Sequence, residues 1–529
     1  MVTYLQLWRA DPAAWRAAGA AWNQLAVGVG QRAAELGTVA SRVADGWRGS
    51  AGSAARGHVR ALRDPLDAAR LAFIETDQVL SDFASALARA RAMLAAAVAA
   101  AAPAHVEIDR AGRTAPDVTV TGIDRAAALH AAGRVGAAIG AALDAAAAAD
   151  RATAEHLGRL GAAAAEGWPT SPPRSGLPVG APPVVVRRWW AGLSEAERRW
   201  LIVHQPAYVG RLDGVPVAAR DQANRSLLAA QRAALVRERA AAVRTAMPRN
   251  AAVSASIRLV GLMSGIDAVD ARLSTPSGER AYLLSLVPDG DGRVVLAVGD
   301  PDRADNVLTY VPGMTADLGA VRDDLGRTEA LAARAAALDP TQRTSTVLWL
   351  DYDAPSFLNE AMFASRAHEA GPALHRFAEG LRATHDGPPA QQVVLGHSYG
   401  ALTVGTTARE QGLAADDLIF VGAPGVGTDH AATLGLPPAH VWSSTAANDP
   451  IAYLAPSWKS SLADMRDHPF QIHAHEHLWF GRNPTHPDFG GQVFTGAAGG
   501  HSGYWRSGND ALDDMARIAL GPEHFGEVR

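Results

Sequence analysis

The run Val393-Val394-Leu395-Gly396-His397-Ser398-Tyr399-Gly400-Ala401-Leu402 constrains the fold of this chain more than any other. A β-branched apolar stretch leads into Gly-x-Ser-x-Gly, and a helix-compatible run follows. The pattern reads as a strand, a sharp turn and a helix, with Ser398 at the apex. Gly396 and Gly400 are needed because a side chain at either place would strike the neighbouring strand or helix. A serine lifted out in this way is a candidate nucleophile, provided a base stands beside it.

The surrounding pattern supplies strands to carry such a turn. Ala281–Val287 and Arg293–Val298 are apolar runs separated by Pro-Asp-Gly-Asp-Gly, which reads as a hairpin. Asn306–Val311 is a third strand and ends at Pro312-Gly313-Met314-Thr315. Strands over Thr346–Leu350, Gln392–Leu395, Leu418–Val421 and Val441–Ser444 then alternate with helices near 316–338, 360–383 and 399–412. Gln492–Thr495 and a helix near 509–519 close the chain. An opening hairpin followed by alternating units predicts an α/β class: a mostly parallel sheet covered by helices.

A serine hydroxyl needs a base within hydrogen-bond reach. His501 follows the last predicted strand in a glycine-rich loop, Gly499-Gly500-His501-Ser502-Gly503-Tyr504, and is the candidate base. An acid must hold the imidazole in one tautomer and stabilise the imidazolium. Asp449, in Ala447-Asn448-Asp449-Pro450, is the candidate acid; Asp351, Asp353 and Asp429 are weaker ones. The backbone N–H of Tyr399 is the first expected oxyanion donor, and that of Met314 the second.

His473-Ala474-His475-Glu476-His477 also invites a metal reading. Alternate histidines share one face of a strand, and Glu476 or His486 would be the third ligand. No recognised ligand spacing accompanies them, so the reading taken is no metal and no cofactor. The insert around 455–490 carries Trp458, Phe470, Trp479 and Phe480, either as a lid or as packing on the body.

The chain has 529 residues, enough for more than one core. The absence of cysteine excludes disulfides, thiolate metal sites and a cysteine nucleophile. A net charge of -5 leaves no basic field for nucleic acid. The first fifteen residues lack a basic region followed by an apolar one, so no Sec-type signal peptide is expected. The alanine-rich run Met93–Ala104 is shorter than the roughly 20 residues a membrane span takes, so no transmembrane segment is expected.

Residues 11–102 read as a helical hairpin. Asp11-Pro12 is a start signal. Trp15, Trp22, Val29, Leu36 and Val43 recur every seven residues, with Ala18, Leu25 and Val39 three later. Beyond the break at Trp47-Arg48-Gly49, Leu66, Phe73, Leu80, Leu87 and Leu94 repeat that spacing, with Leu62, Ala69, Phe83, Ala90 and Ala97 beside them. These are the expected seams of two packed helices, with Asp64-Pro65 a kink or restart. The expected organisation is a helical domain over 1–165, a proline-rich linker over 166–186, and an α/β domain with a helical preface over 187–529.

Residues 189–520 resemble an α/β-hydrolase domain common in actinobacteria. The resemblance rests on Ala207–Pro216 with Arg220-Asp221-Gln222-Ala223-Asn224-Arg225, on Val311-Pro312-Gly313-Met314, on Gly396–Gly400, on Asn448-Asp449-Pro450 and on His501-Ser502-Gly503-Tyr504. It implies an α/β-hydrolase fold and serine-hydrolase chemistry but supplies no substrate; the expected reaction is cleavage of a small-molecule acyl ester or thioester, of esterase or lipase type, with amide cleavage as the other option. The hairpin resembles the WxG-type hairpins of type VII secretion substrates, which implies a helical-hairpin partner through residues 11–102. Location is then cytoplasmic, or exported by a type VII-like route. The Tyr-x-x-x-Asp/Glu of those substrates has no counterpart, since no tyrosine lies between the second helix and Tyr208. The alternative function is a partner-binding helical protein with the hydrolase body as its carrier.

Overall fold

The computed structural model describes residues 2–117, 124–168, 170–244, 249–275, 278–453, 475–496 and 499–528. The chain forms two compact units, Met1–Thr170 with Ser274–Arg280, and Ser171–Leu273 with Ala281–Arg529.

The first unit is helical. A short α1 (Tyr4–Arg9) precedes α2 (Pro12–Gly46), whose N-cap Asp11 accepts from the Ala13 amide. Trp47-Arg48-Gly49 makes the turn into α3 (Ser50–Ala101), which runs through Pro65 as one helix. A two-stranded hairpin, β1 (Val106–Ile108) and β2 (Thr114–Pro116), leads to α4 (Arg125–Ala165), capped by Asp124. Leu87, Leu94, Val135 and Ile139 are buried together in one cluster, so α3 shares its second half with α4.

The seam of α2 differs from the expected one. Trp15, Trp22, Leu25 and Val39 stay 37–53% exposed, whereas Gly19, Asn23, Ala26 and Ala33 are buried. Small residues let the two backbones approach, and polar side chains of α3 fill the space beside them: a Cβ on Gly19 would lie 3.0 Å from both Asp77 Oδ1 and Ser81 Oγ. Trp15 and Trp22 instead lean on Phe83 and Phe73, with ring centroids 5.0 and 5.3 Å apart. On α3 the expected seam is buried from Leu80 to Ala97, while Leu62 is 50% exposed. By length and composition alone α3 and α4 are apolar enough to cross a membrane; much of that hydropathy is alanine.

The second unit opens with helices α5 (Pro183–Gly192), α6 (Glu195–His204), α7 (Pro206–Val209), α8 (Val217–Arg244) and α9 (Arg249–Leu273). Proline at the first helical position lets α5 start inside the stretch read as linker. Then follow β3 (Ala281–Val287), β4 (Arg293–Val298), β5 (Asn306–Val311), α10 (Val321–Leu338), β6 (Thr344–Leu350), α11 (Leu358–Ala361) and α12 (Ser365–Thr384). After these come β7 (Gln391–His397), α13 (Tyr399–Glu410), β8 (Asp417–Val421), β9 (Val441–Ser444), the small hairpin β10 (His477–Leu478) and β11 (Gly481–Arg482), β12 (Gln492–Val493) and α14 (Asp510–Leu520).

Eight strands form one sheet in the order β12-β9-β8-β7-β5-β6-β4-β3. Pairs involving β4 are antiparallel and the others parallel. Strand β7 lies between β5 and β8 and is buried from Gln392 to its end, which explains its unbroken apolar run. The outer edge, β3, is covered by polar side chains from α8. Arg220 donates to Leu284 O (3.0 Å), Asn224 to Leu283 O (3.0 Å) and Arg225 to Ala281 O (2.9 Å), while Asp221 accepts from the Leu283 amide (2.8 Å). The Arg-Asp-Gln-Ala-Asn-Arg run thus covers several of the edge groups that another strand would otherwise pair with.

Candidate active site

The C-terminal ends of β5, β7, β9 and β12 deliver the chemical groups. At the end of β7, Ser398 has φ 55° and ψ -128°, a strained conformation for a residue with a Cβ. The neighbouring glycines make the turn possible: a Cβ on Gly396 would lie 2.5 Å from Ala401 Cα, and one on Gly400 2.2 Å from Val311 O. The Ser398 amide donates to Val421 O at 3.1 Å, which ties the apex to β8.

Asp449 follows β9 and is fully buried; His501 follows β12. The imidazole Nδ1 lies 2.9 and 3.0 Å from the two carboxylate oxygens of Asp449. A carboxylate only accepts, so Nδ1 carries a proton, and in the neutral form of the ring Nε2 is the nitrogen with the lone pair. Burial pushes Asp449 up, but the hydrogen bond and charge of His501, the Ile451 amide and the Tyr504 hydroxyl together hold it below the usual carboxylate range. Of the aspartates weighed as the acid, Asp449 is the one that contacts His501. Asp351 lies at the end of β6, 4.0 Å from Arg293 Nε, and Asp429 accepts from the Arg482 amide.

Ser398 and His501 line one cavity of about 200 Å³, together with Pro312, Met314, Arg327 and His397. No hydrogen bond joins Ser398 to His501 among the described residues. The loop after β5 presses against the serine, since a Cβ on Gly313 would lie 2.6 Å from Ser398 Cβ and 3.0 Å from the Tyr399 amide nitrogen. Among the described residues, neither the Met314 nor the Tyr399 amide has a protein acceptor.

Several groups that hold the site together carried little signal in the sequence. Tyr504 donates its hydroxyl to Asp449 Oδ2 (2.7 Å) and accepts from the Ala446 amide (2.9 Å). Asn448 accepts from the Gly499 and Gly500 amides (3.2 and 3.0 Å), joining the acid loop to the base loop. His397, read from sequence as part of the turn that presents Ser398, is buried, and its Nε2 lies 2.8 Å from the backbone carbonyl of His501. Burial, the His501 charge and Arg327 push its pKa down to about 3, so the ring is neutral. Arg327 is fixed by Asp324 (2.9 Å) and the Tyr310 hydroxyl (3.1 Å), with its guanidinium 5.0 Å from the Trp505 ring centroid. Tyr504 stands three residues after His501, and Asn448 directly before Asp449. That adjacency was the available clue.

A family model described as alpha/beta hydrolase matches residues 287–459. The uncharacterized protein Rv0963c of Mycobacterium tuberculosis is 32% identical over 198 residues, which is 35% of this chain and 74% of that protein. This chain belongs to the α/β-hydrolase family. The uncharacterized protein Rv2079 of M. tuberculosis is 31% identical to this α/β-hydrolase over 385 residues, covering 67% of it and 58% of Rv2079. The α/β-hydrolase chain therefore spans a little over half the length of that relative. Among solved structures, S-formylglutathione hydrolase of Staphylococcus aureus overlaps 46% of this chain and 98% of its own, at 12% identity and a TM-score of 0.26.

The histidine cluster at the end of the insert reads differently in the fold. His473, Trp458 and Phe470 lie outside the described residues. Glu476, His486 and Asp488 come together, but Arg482 lies among them, 2.5 Å from Glu476, 3.1 Å from Asp488 and 3.5 Å from His486 Nδ1. A guanidinium there answers the negative charge a cation would otherwise meet. Phe480 packs edge-on against Tyr399, and Trp479 donates to Met362 O at 2.9 Å. A larger cavity of about 540 Å³ runs along α13, bounded by Leu402, Arg409, His430 and Phe480, and contains neither Ser398 nor His501.

Proposed function

We propose that this α/β-hydrolase is a serine esterase, with Ser398 as nucleophile, His501 as base and Asp449 as its partner. The observation that carries this reading is the His501 Nδ1 contact to a fully buried Asp449, with the imidazole and a strained Ser398 facing one cavity. Ser398 Oγ attacks the acyl carbonyl while His501 Nε2 takes its proton. The oxyanion is met by the Tyr399 and Met314 amides, each worth about 2.7–4 kcal/mol of barrier in such sites. His501 returns the proton to the leaving alcohol. Water then repeats the sequence on the acyl-enzyme and frees the acid. The serine-to-base hydrogen bond, not made among the described residues, is of a kind that forms when substrate is bound.

The test is covalent labelling with a fluorophosphonate. The wild-type protein labels and hydrolyses p-nitrophenyl acetate; Ser398→Ala does neither and keeps its circular dichroism. A wild type that never labels, with Ser398→Ala equally active, removes the assignment.

A second reading concerns the helical unit. Trp15, Trp22, Leu25 and Val39 are exposed along α2, which favours a helical partner of the kind the WxG-type hairpin implies. Co-purification with a small helical protein encoded nearby tests it. A protein that purifies alone and binds no hairpin peptide argues against it.

A further inference from the structure

The segment Pro355–Ala364 turns the usual order of a surface loop inside out. Its small residues Ala361 and Ala364 pack on the main core, and so does Ala354 just before it. Its large apolar residues point outward: Phe357 is 67% exposed, Leu358 65%, Phe363 65% and Met362 40%. Large apolar groups left in water while alanines take the inside is an arrangement with a cost, since each buried side chain of this size is worth roughly 1.5–3 kcal/mol.

This is a held surface. The Thr315 amide donates to Pro355 O (2.8 Å), the Ser356 amide to Glu360 (3.0 Å), and the Tyr399 hydroxyl to Phe363 O (2.7 Å). Trp479 fixes Met362 O. Both anchors of the segment belong to the candidate oxyanion region: Thr315 is next to Met314, and Tyr399 is itself a candidate donor. Met314 itself is 37% exposed and extends the patch. Glu360 is the one charged residue between 355 and 364, and its carboxylate is turned back onto the Ser356 amide.

We propose that this apolar collar docks the enzyme onto the surface of an aggregated acyl lipid, so that the physiological substrate class is an ester presented at a lipid–water interface. The occupant is argued from position. The segment is anchored on Thr315, which lines the cavity at the serine, and on Tyr399, which follows Ser398, and that cavity, at about 200 Å³, leaves a long acyl chain to lie outside it. An uncharged patch favours a neutral or zwitterionic surface over an anionic one. The inference rests on the serine-esterase reading for its catalytic meaning, but its binding test stands apart.

The experiment floats the full-length protein with phosphatidylcholine vesicles and, in parallel, compares hydrolysis of tributyrin below and above its solubility limit. The wild type floats, and its rate rises at the point where emulsion forms. The double variant Phe357→Ser, Phe363→Ser loses at least about tenfold in vesicle affinity, because two large side chains no longer leave water. It also loses the rise, yet hydrolyses dissolved p-nitrophenyl acetate at the wild-type rate. Leu358→Gln shows the same effect in weaker form. A wild type that stays at the bottom of the gradient, or a double variant that floats equally, overturns the proposal. So does a wild-type dimer that the double variant converts to monomer, which would assign the face to a second copy. If vesicles bind as expected while neither protein cleaves p-nitrophenyl acetate, the esterase reading fails and the docking surface stands.

Discussion

The imidazole of His397 holds the backbone of His501: Nε2 lies 2.8 Å from the His501 carbonyl, and the two rings are 4.8 Å apart. A carbonyl only accepts, so His397 must keep a proton on Nε2, and among the described residues its buried Nδ1 has no partner. The residue before Ser398 therefore braces the loop of His501. It does so as a neutral ring, adding no second positive charge beside the imidazolium that the proposed mechanism forms.

This neutrality predicts a pH dependence of stability. A free histidine titrates at about 6.5, and His397 is held at about 3. Between those values the unfolded chain binds the extra proton, so stability falls as pH falls, by at most about 1.4 kcal/mol per pH unit. His397→Gln cannot titrate, and its urea midpoint should change less between pH 7 and 4 than that of the wild type. Parallel curves would show that His397 is not buried neutral. Glutamine can still donate to the His501 carbonyl, so His397→Gln should keep more activity than His397→Leu at pH 8.

Asp449 gives the same sign in a more acid window. Its folded pKa is depressed, so its contribution is present above the unfolded value of about 3.9 and is lost as pH falls through the folded one. The difference in melting temperature between wild type and Asp449→Asn should be largest above pH 5 and narrow in stronger acid. An asparagine also favours the wrong tautomer of His501, which costs on the order of 10⁴ in kcat in a comparable triad. If Asp449→Asn keeps kcat within tenfold, Asp449 is not the residue that orients the base.

Much of this arrangement was legible in the sequence, for identifiable reasons. The strand, turn and helix around Ser398 are local, and local patterns fix them. The strands β5, β7 and β8 could be read because buried parallel strands are nearly continuous apolar runs, whereas β12 is exposed and only Gln492–Val493 of the expected Gln492–Thr495 pairs. The seam of α2 was missed because hydrophobic periodicity weighs large residues, while close helix contact uses small ones such as Gly19 and Ala26. The bracing by Tyr504, Asn448 and His397 joins segments about fifty to a hundred residues apart, and no spacing rule reaches that far. The apolar collar at Phe357–Phe363 was hidden for another reason: its pattern reads as a helix start, and nothing in the letters says which face is outside.

The edge of the sheet offers a prediction about stability alone. Asn224 is 2% exposed and donates to Gly210 O and Leu283 O, at 2.9 and 3.0 Å. Asn224→Leu leaves both carbonyls without this donor in a buried place, at about 1–3 kcal/mol for each group. A lowered urea midpoint with unchanged fluorophosphonate labelling of the remaining folded protein is the expected outcome. A variant as stable as the wild type would mean that β3 does not depend on α8 for its edge.

Gly313 sets the distance between the turn after β5 and Ser398. A methyl group there would lie 2.6 Å from Ser398 Cβ, 2.8 Å from His397 O and 3.0 Å from the Tyr399 nitrogen, all in the same small volume. Two of those atoms are backbone, and the third belongs to the strained apex, so none can turn aside as a flexible side chain would. Gly313→Ala must push the turn and the apex apart, at about 1–3 kcal/mol of overpacking. The Met314 and Tyr399 amides would then no longer converge on one oxygen. A displacement near 1 Å is enough for about a hundredfold loss in rate. The expected result is a drop of that size in kcat for p-nitrophenyl acetate with little change in KM, since the ground-state ester does not use those amides fully. A Gly313→Ala enzyme with wild-type kcat would show that the β5 turn takes no part in the oxyanion site.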